Sequence, residues 1–272
     1  KGFCGASENI TLALANLHYS EEPIISGTNG SGTIFFSGCN LKCVFCQNYE
    51  LSTNKKGKEI TINRLAEIFK ELEDSGAHNI NLVTPSHYAN QIIQALDIYK
   101  PNIPIVYNTN GYETVDTIKK LSKYIDIYLT DFKYYDNDLS NRLSHANNYK
   151  DVALLALKEM LRNQPENIIE NGIMKKGVIV RHLVLPNHTD DSIKVLDLLH
   201  KNFGNKLTIS LMSQYVPLND LSSHPDINRP LKPIEYKIVL SHLEKLGFDG
   251  FMQELSSSST SYIPNFDYTG VD

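Results

Sequence analysis

Apolar positions along this chain alternate between two periods. Short β-rich runs give way to longer stretches with apolar residues three and four apart, the pattern of βα units feeding a parallel sheet. The first run spans residues 33–36. Residues 61–75 then place Ile62, Leu65, Ile68, Phe69 and Leu72 on one helical face, with Gly76 as the stop. A strand at 80–83 ends at Thr84-Pro85, and a helix capped by Ser86 follows, with Ile92, Ile93, Leu96 and Tyr99 inward. The unit repeats as a strand at 104–107 with a helix near 114–124, and as a strand at 125–130 with a helix at 151–162. Asn171-Gly172 predicts a small hairpin insertion before a strand at 178–185. A helix at 190–201, a strand at 207–212 and a helix from Pro233 to a stop at Gly247 complete the series. Six βα units result, with 248–252 as a further strand, too few for a closed eight-stranded barrel. Residues 1–32, with a short helix from Ser7 and a glycine-rich stretch, read as an N-terminal cap. Residues 33–254 read as the core, and the serine-rich residues 255–272 as a loosely held tail.

Composition narrows the function. The 272 residues carry 26 basic and 31 acidic groups, a net charge of −5 without a basic stripe, which argues against nucleic acid as the main partner. No apolar run reaches the length of a transmembrane helix, and the start lacks the charged-then-apolar order of a signal peptide. The expectation is a soluble, cytoplasmic protein without a membrane partner. The chain opens on Lys1 rather than methionine, and residues upstream of it are expected.

Three of the four cysteines, Cys39, Cys43 and Cys46, crowd into one loop after the first core strand. A secreted disulfide framework spreads its cysteines, whereas this spacing lets one loop offer three thiolates to three irons of a cubic cluster. Structural zinc is the rival, and it needs a fourth ligand from Cys4 or a histidine elsewhere.

In a parallel sheet the strand C-termini share one face, where barrel enzymes place their chemistry. Thr84, Asn108, Thr109, Asp131, Lys133, Gln214 and Tyr215 all fall at such ends. Arg181 lies within an apolar strand, level with Ile179 and Leu183 at period two. Its buried charge calls either for an internal carboxylate or for a ligand anion. Asp131 and Lys133 share a face with Ile127 and Leu129, reading either as a solvated pair or as part of the same interior. His182 alternates to the other face and reads as a packed, hydrogen-bonded histidine.

The segment Cys39-Asn40-Leu41-Lys42-Cys43-Val44-Phe45-Cys46 resembles the cysteine motif of radical S-adenosylmethionine (SAM) enzymes, including the aromatic residue before the last cysteine. Gly38 to Asn48 resembles, more narrowly, the activating enzymes of glycyl-radical enzymes. Gly2-Phe3-Cys4-Gly5-Ala6, Glu21-Glu22-Pro23, Phe36-Ser37-Gly38-Cys39, Arg181-His182-Leu183-Val184-Leu185-Pro186 and Gln214-Tyr215 are similar to a pyruvate formate-lyase activating enzyme-like branch. The resemblance implies a partial, open (β/α)6 TIM-type barrel of parallel strands. It implies a [4Fe–4S] cluster on Cys39, Cys43 and Cys46 that binds SAM and cleaves it reductively to methionine and a 5′-deoxyadenosyl radical. It also implies Phe45 and Leu183 near the adenine, Asn108, Thr109, Asp131 and Lys133 around methionine and ribose, Arg181 on the methionine carboxylate, and Tyr215 as a further ligand contact. An electron donor such as flavodoxin or ferredoxin is implied as partner, with hydrogen abstraction from a protein or peptide, such as the glycine of a glycyl-radical enzyme.

Small-metabolite or ribosomal-peptide modification is the alternative chemistry, and a zinc-stabilised binding module the non-enzymatic one. Two departures stand out. Val83-Thr84-Pro85 replaces the Gly-Gly-Glu that receives the methionine ammonium, leaving backbone carbonyls near Thr84 for that role. Asn108 replaces an aspartate, which weakens the case for a bound monovalent cation. Cys4 is either part of an N-terminal metal-binding element or an ordinary buried cysteine.

Overall fold

A computed structural model describes residues 3–4, 9–253 and 263–272. In chain order the elements are β1 (Ile10–His18), α1 (Pro23–Ser26), β2 (Ser31–Phe36), α2 (Tyr49–Ser52), β3 (Lys58–Ile60), α3 (Ile62–Asp74), β4 (Ile80–Val83), α4 (Ala89–Ile98), β5 (Ile105–Thr109) and α5 (Val115–Leu121). They continue with β6 (Ile127–Asp131), α6 (Asn137–Ser144), α7 (Tyr149–Asn163), β7 (Ile168–Glu170), β8 (Ile173–Leu183), α8 (Thr189–Phe203), β9 (Thr208–Met212), α9 (Pro233–Leu246) and β10 (Asp249–Met252). The sheet runs β10-β9-β8-β6-β5-β4-β2-β1-β3, with β7 as a hairpin partner of β8. From β2 through β10 every neighbouring pair on this path is parallel, whereas β1 is antiparallel to both β2 and β3. The ends β10 and β3 do not pair, so the six βα units form a partial, open barrel, with β10 as the added strand.

Alternation along the strands divides the interior in two. Tyr107, Tyr128, Val180, Ile209 and Leu211 face the helical layer and join Leu65, Phe69, Ile92, Leu157 and Leu196 in the main core. Val106, Ile127, Leu129 and Ile179 point the other way and close on Ile25 of α1. Asn108, Asp131 and Arg181 continue these inner rows by period two. Apolar packing therefore fills part of the inner face and polar groups succeed it toward the strand C-termini. Among the described residues no helix is long and apolar enough to cross a membrane.

Four readings of the sequence change. Residues 10–18 are a strand of the main sheet, where a helix from Ser7 was expected. Ile10 and Leu12 enter the main core while Ala13 and Leu14 enter another cluster with Phe35 and Phe266. A register shift between Leu12 and Leu14 breaks the two-residue period. Ser86 caps no helix, because its hydroxyl binds Glu113 and α4 begins only at Ala89. The fourth connection holds α6 as well as α7. The described part of the tail is not loose. Phe266 and Val271 are buried, Ala15 N donates to Thr269 O at 2.9 Å, and Arg64 donates to the carbonyl of Asp272 at 2.7 Å. The hairpin at Asn171-Gly172 forms as expected. Gly2, Ser7, Gly5, Ala6 and residues 254–262 lie outside the described residues.

Candidate active site

β2 delivers the chain into the cysteine loop through Gly38, whose φ of +89° suits glycine. A side chain there would meet the Cys4 carbonyl at 2.8 Å. Lys42 N donates to Ser144 O at 3.1 Å and Val44 N to Leu143 O at 2.9 Å, so the C-terminus of α6 buttresses the loop. From the other side Asn219 donates to Val44 O at 2.9 Å and Cys46 O at 3.2 Å, and Gln47 donates to Gln214 O at 2.9 Å. Cys39, Cys43, Phe45 and Cys46 line one cleft with Thr84, Asn108, Thr109, Asp131, Lys133, Arg181 and Leu183. Tyr215 is not part of that lining. It packs on Phe45 with ring centroids 6.0 Å apart and donates its hydroxyl to Ile227 O at 2.6 Å, so it supports a wall of the cleft.

Arg181 meets carboxylates of the chain itself. Its Nε donates to Asp131 Oδ1 at 3.0 Å, its Nη1 to Glu21 Oε2 at 3.2 Å and its Nη2 to Asn108 Oδ1 at 2.6 Å. Lys133 Nζ donates to the second Asp131 oxygen at 2.6 Å. Burial works against the Asp131 carboxylate, but Lys133 and Arg181 outweigh it and hold its carboxyl below the usual range. Burial likewise opposes the Lys133 charge, and Asp131 and Cys43 reverse that effect, raising it. Glu22 is the exception. Burial keeps its carboxyl high despite Arg181 nearby, and one of its oxygens has no hydrogen-bond partner among the described residues. The internal ion pair, one of the two alternatives for Arg181, is thus present, and Asp131–Lys133 belongs to the interior rather than to a solvated rim.

Thr109 donates its hydroxyl to Glu113 Oε1 at 2.6 Å. Glu113 also receives the hydroxyls of Ser86 and of Tyr107, the latter at 3.3 Å, and burial raises its carboxyl. Thr84 adopts a φ of +56°, uncommon for a β-branched residue, and its N donates to Asn108 O at 2.9 Å. This strained turn sits where the resemblance leads one to expect glycine. Burial pushes the thiol of Cys39 up to about 12 and that of Cys43 to about 11, so metal loading must displace protons. His182 is buried with Nδ1 2.7 Å from Phe132 O, the packed histidine expected.

The donor set fits a cluster better than a single ion. Three thiols of one loop face one cleft. Among the described residues no group of three or more His, Cys, Asp or Glu side chains is placed to hold one metal ion. A closed zinc site needs four such ligands. Sequence reasoning did not single out Glu21, Glu113 or Asn219. Glu21 stands in the Glu-Glu-Pro segment already noted for its resemblance, whereas Glu113 and Asn219 lie in loops without any periodic or motif signal.

The model of the radical SAM superfamily matches residues 33–199, and the chain belongs to that superfamily. It is accordingly an enzyme of this class, and its cofactors are a [4Fe–4S] cluster and SAM. It is 35% identical over 261 residues to the uncharacterized protein MJ0674 of Methanocaldococcus jannaschii, a match covering 92% of this chain and 71% of that protein. It is 24% identical over 217 residues to the pyruvate formate-lyase-activating enzyme of Clostridium pasteurianum, covering 74% and 82% respectively. The fold superposes on HydG, a maturase of the [FeFe]-hydrogenase, with a TM-score of 0.51 at 18% identity over 79% of this chain. The chain spans about half of HydG, 48% of its length.

Proposed function

We propose that this chain cleaves SAM reductively and uses the product radical to abstract hydrogen from a protein or peptide, in the manner of activating enzymes for glycyl-radical enzymes. When bound, the cluster and SAM supply one-electron cleavage of the sulfonium to methionine and a 5′-deoxyadenosyl radical. Cys39, Cys43 and Cys46 would hold the cluster. Asp131, Lys133 and Asn108 present a charged and polar wall for the methionine and ribose groups, and Phe45 and Leu183 an apolar one for the adenine. Arg181, already paired to Asp131 and Glu21, fixes that wall as well as lending positive charge to it. Backbone carbonyls at the Thr84 turn would receive the ammonium. The ion pairs of Asp131 with Lys133 and Arg181, and of Arg181 with Glu21, tie these side chains to one another within the wall.

The observation that carries this reading is the placement of all three loop thiols in the same cleft as the strand-end groups of β4, β5, β6 and β8. The protein or peptide substrate is supported by the likeness to the activating enzyme, and an electron donor such as flavodoxin or ferredoxin by the need for single electrons. The test is anaerobic incubation with reductant, SAM and candidate glycyl-radical proteins, followed by electron paramagnetic resonance. A protein-based glycyl signal with matching 5′-deoxyadenosine supports the proposal. Deoxyadenosine without a protein radical across the candidates would move the substrate to a small metabolite or another peptide.

A further inference from the structure

Each of the three loop cysteines accepts a hydrogen bond at sulfur from a different side chain, and each donor comes from a different part of the chain. Asn110, after β5, places Nδ2 3.4 Å from Cys39 Sγ. Ser144, at the end of α6, places Oγ 3.0 Å from Cys43 Sγ. Ser52, at the end of α2, places Oγ 3.3 Å from Cys46 Sγ.

These donors are held by bonds of their own. The Asn110 amide also donates to Asn40 Oδ1 at 2.7 Å, and its own Oδ1 accepts from Tyr112 N at 2.9 Å. Ser144 Oγ lies 2.6 Å from the hydroxyl of Tyr134, and both residues are fully buried. The Ser52 carbonyl accepts from Lys42 Nζ at 2.6 Å. All three donors are neutral and reach sulfur from outside the spacing motif.

We propose that Asn110, Ser144 and Ser52 set the reduction potential of the cluster by donating one side-chain hydrogen bond to each ligating sulfur. The inference rests on the cluster assignment above. A thiolate sulfur gains negative charge when the cluster takes up an electron, so a donor aimed at it stabilises the reduced form more than the oxidised form. Fixed donors supply that stabilisation without reorganising, and the chain from Tyr134 through Ser144 adds polarisation. The electron itself comes from an external one-electron reductant, and the three side chains act through the sulfurs as positioning residues.

The test is a potentiometric titration of the cluster, read by electron paramagnetic resonance of its reduced form. It is applied to the unmutated protein and to Ser52→Ala, Ser144→Ala and the double variant. Each single variant is expected to shift the midpoint to a more negative potential, and the double variant further. Ser52→Thr, which keeps a hydroxyl, should stay near the parent. Unchanged midpoints in both alanine variants at full iron content would overturn the proposal. Loss of iron from both would overturn it too, because the hydroxyls would then serve assembly rather than potential; if only one loses iron, the other decides. Iron and sulfide in the unmutated protein report separately on the cluster assignment.

Discussion

Arg181 joins Asp131, Glu21 and Asn108 across three strands and the β1–α1 connection, in a region where unpaired charge is costly. Removing it leaves two carboxylates short of a cation. Arg181→Ala should therefore lose about 3–5 kcal/mol of stability by chemical denaturation. SAM affinity should fall while iron content, carried by thiols the guanidinium does not touch, stays at the parent level. Normal SAM affinity in that variant would remove Arg181 from the binding wall. His182 gives a pH test. Burial pushes its pKa down from 6.5 to about 4, so between those values the unfolded chain binds a proton that the folded chain refuses. Its contribution is fully present above pH 6.5 and is lost as pH falls toward 4. The denaturation midpoint should drop across that window, and His182→Asn should flatten the drop. At this scale the meeting of the cysteines, Arg181 and the strand-end polar residues other than Tyr215 in one cleft was legible, because motif spacing and period two place them. Glu21, Glu113, Ser52 and Ser144 were not, since each acts through a tertiary hydrogen bond that spacing does not encode.

Among the elements, α6 shows how a functional part escapes pattern reading. Leu139 and Leu143 are its only large apolar residues, four apart, too few to make a stripe in an eight-residue helix. Its order comes from the Asp136 cap, which accepts from Leu139 N at 2.8 Å, and from docking on the cysteine loop. β1 misleads for the opposite reason. It is buried on both faces, so its helix-compatible apolar run carries no alternation. Where one face is buried and the other exposed, as in α3, the helix and its stop were readable. The turn after β5 makes a further prediction. Gly111 has φ +80°, and a Cβ there would lie 2.2 Å from the Asp131 carbonyl. Gly111→Ala should cost at least about 1 kcal/mol from the backbone conformation alone. By displacing Asp131 it should also weaken SAM binding, which equilibrium binding of the folded variant would register. Unaltered affinity would mean that Asp131 stands clear of the ligand.

For the whole molecule, counting βα units reached the open half-barrel because six strand-to-helix alternations cannot close an eight-stranded cylinder. The antiparallel strands β1 and β3 beyond β2 were beyond that count, as was the docking of residues 263–272 on β1 and α3. Both bring distant segments to the edge that carries the cysteine loop, so the cleft is framed by chain far apart in sequence. The central claim is that this frame holds a site-differentiated cluster whose open iron binds SAM. Its most direct test is anaerobic purification with iron and sulfide analysis, combined with electron paramagnetic resonance of the reduced protein before and after SAM. The account predicts about four irons and four sulfides per chain and a cluster signal that changes when SAM is added. A colourless protein carrying one tight zinc, or a cluster signal indifferent to SAM, would contradict it.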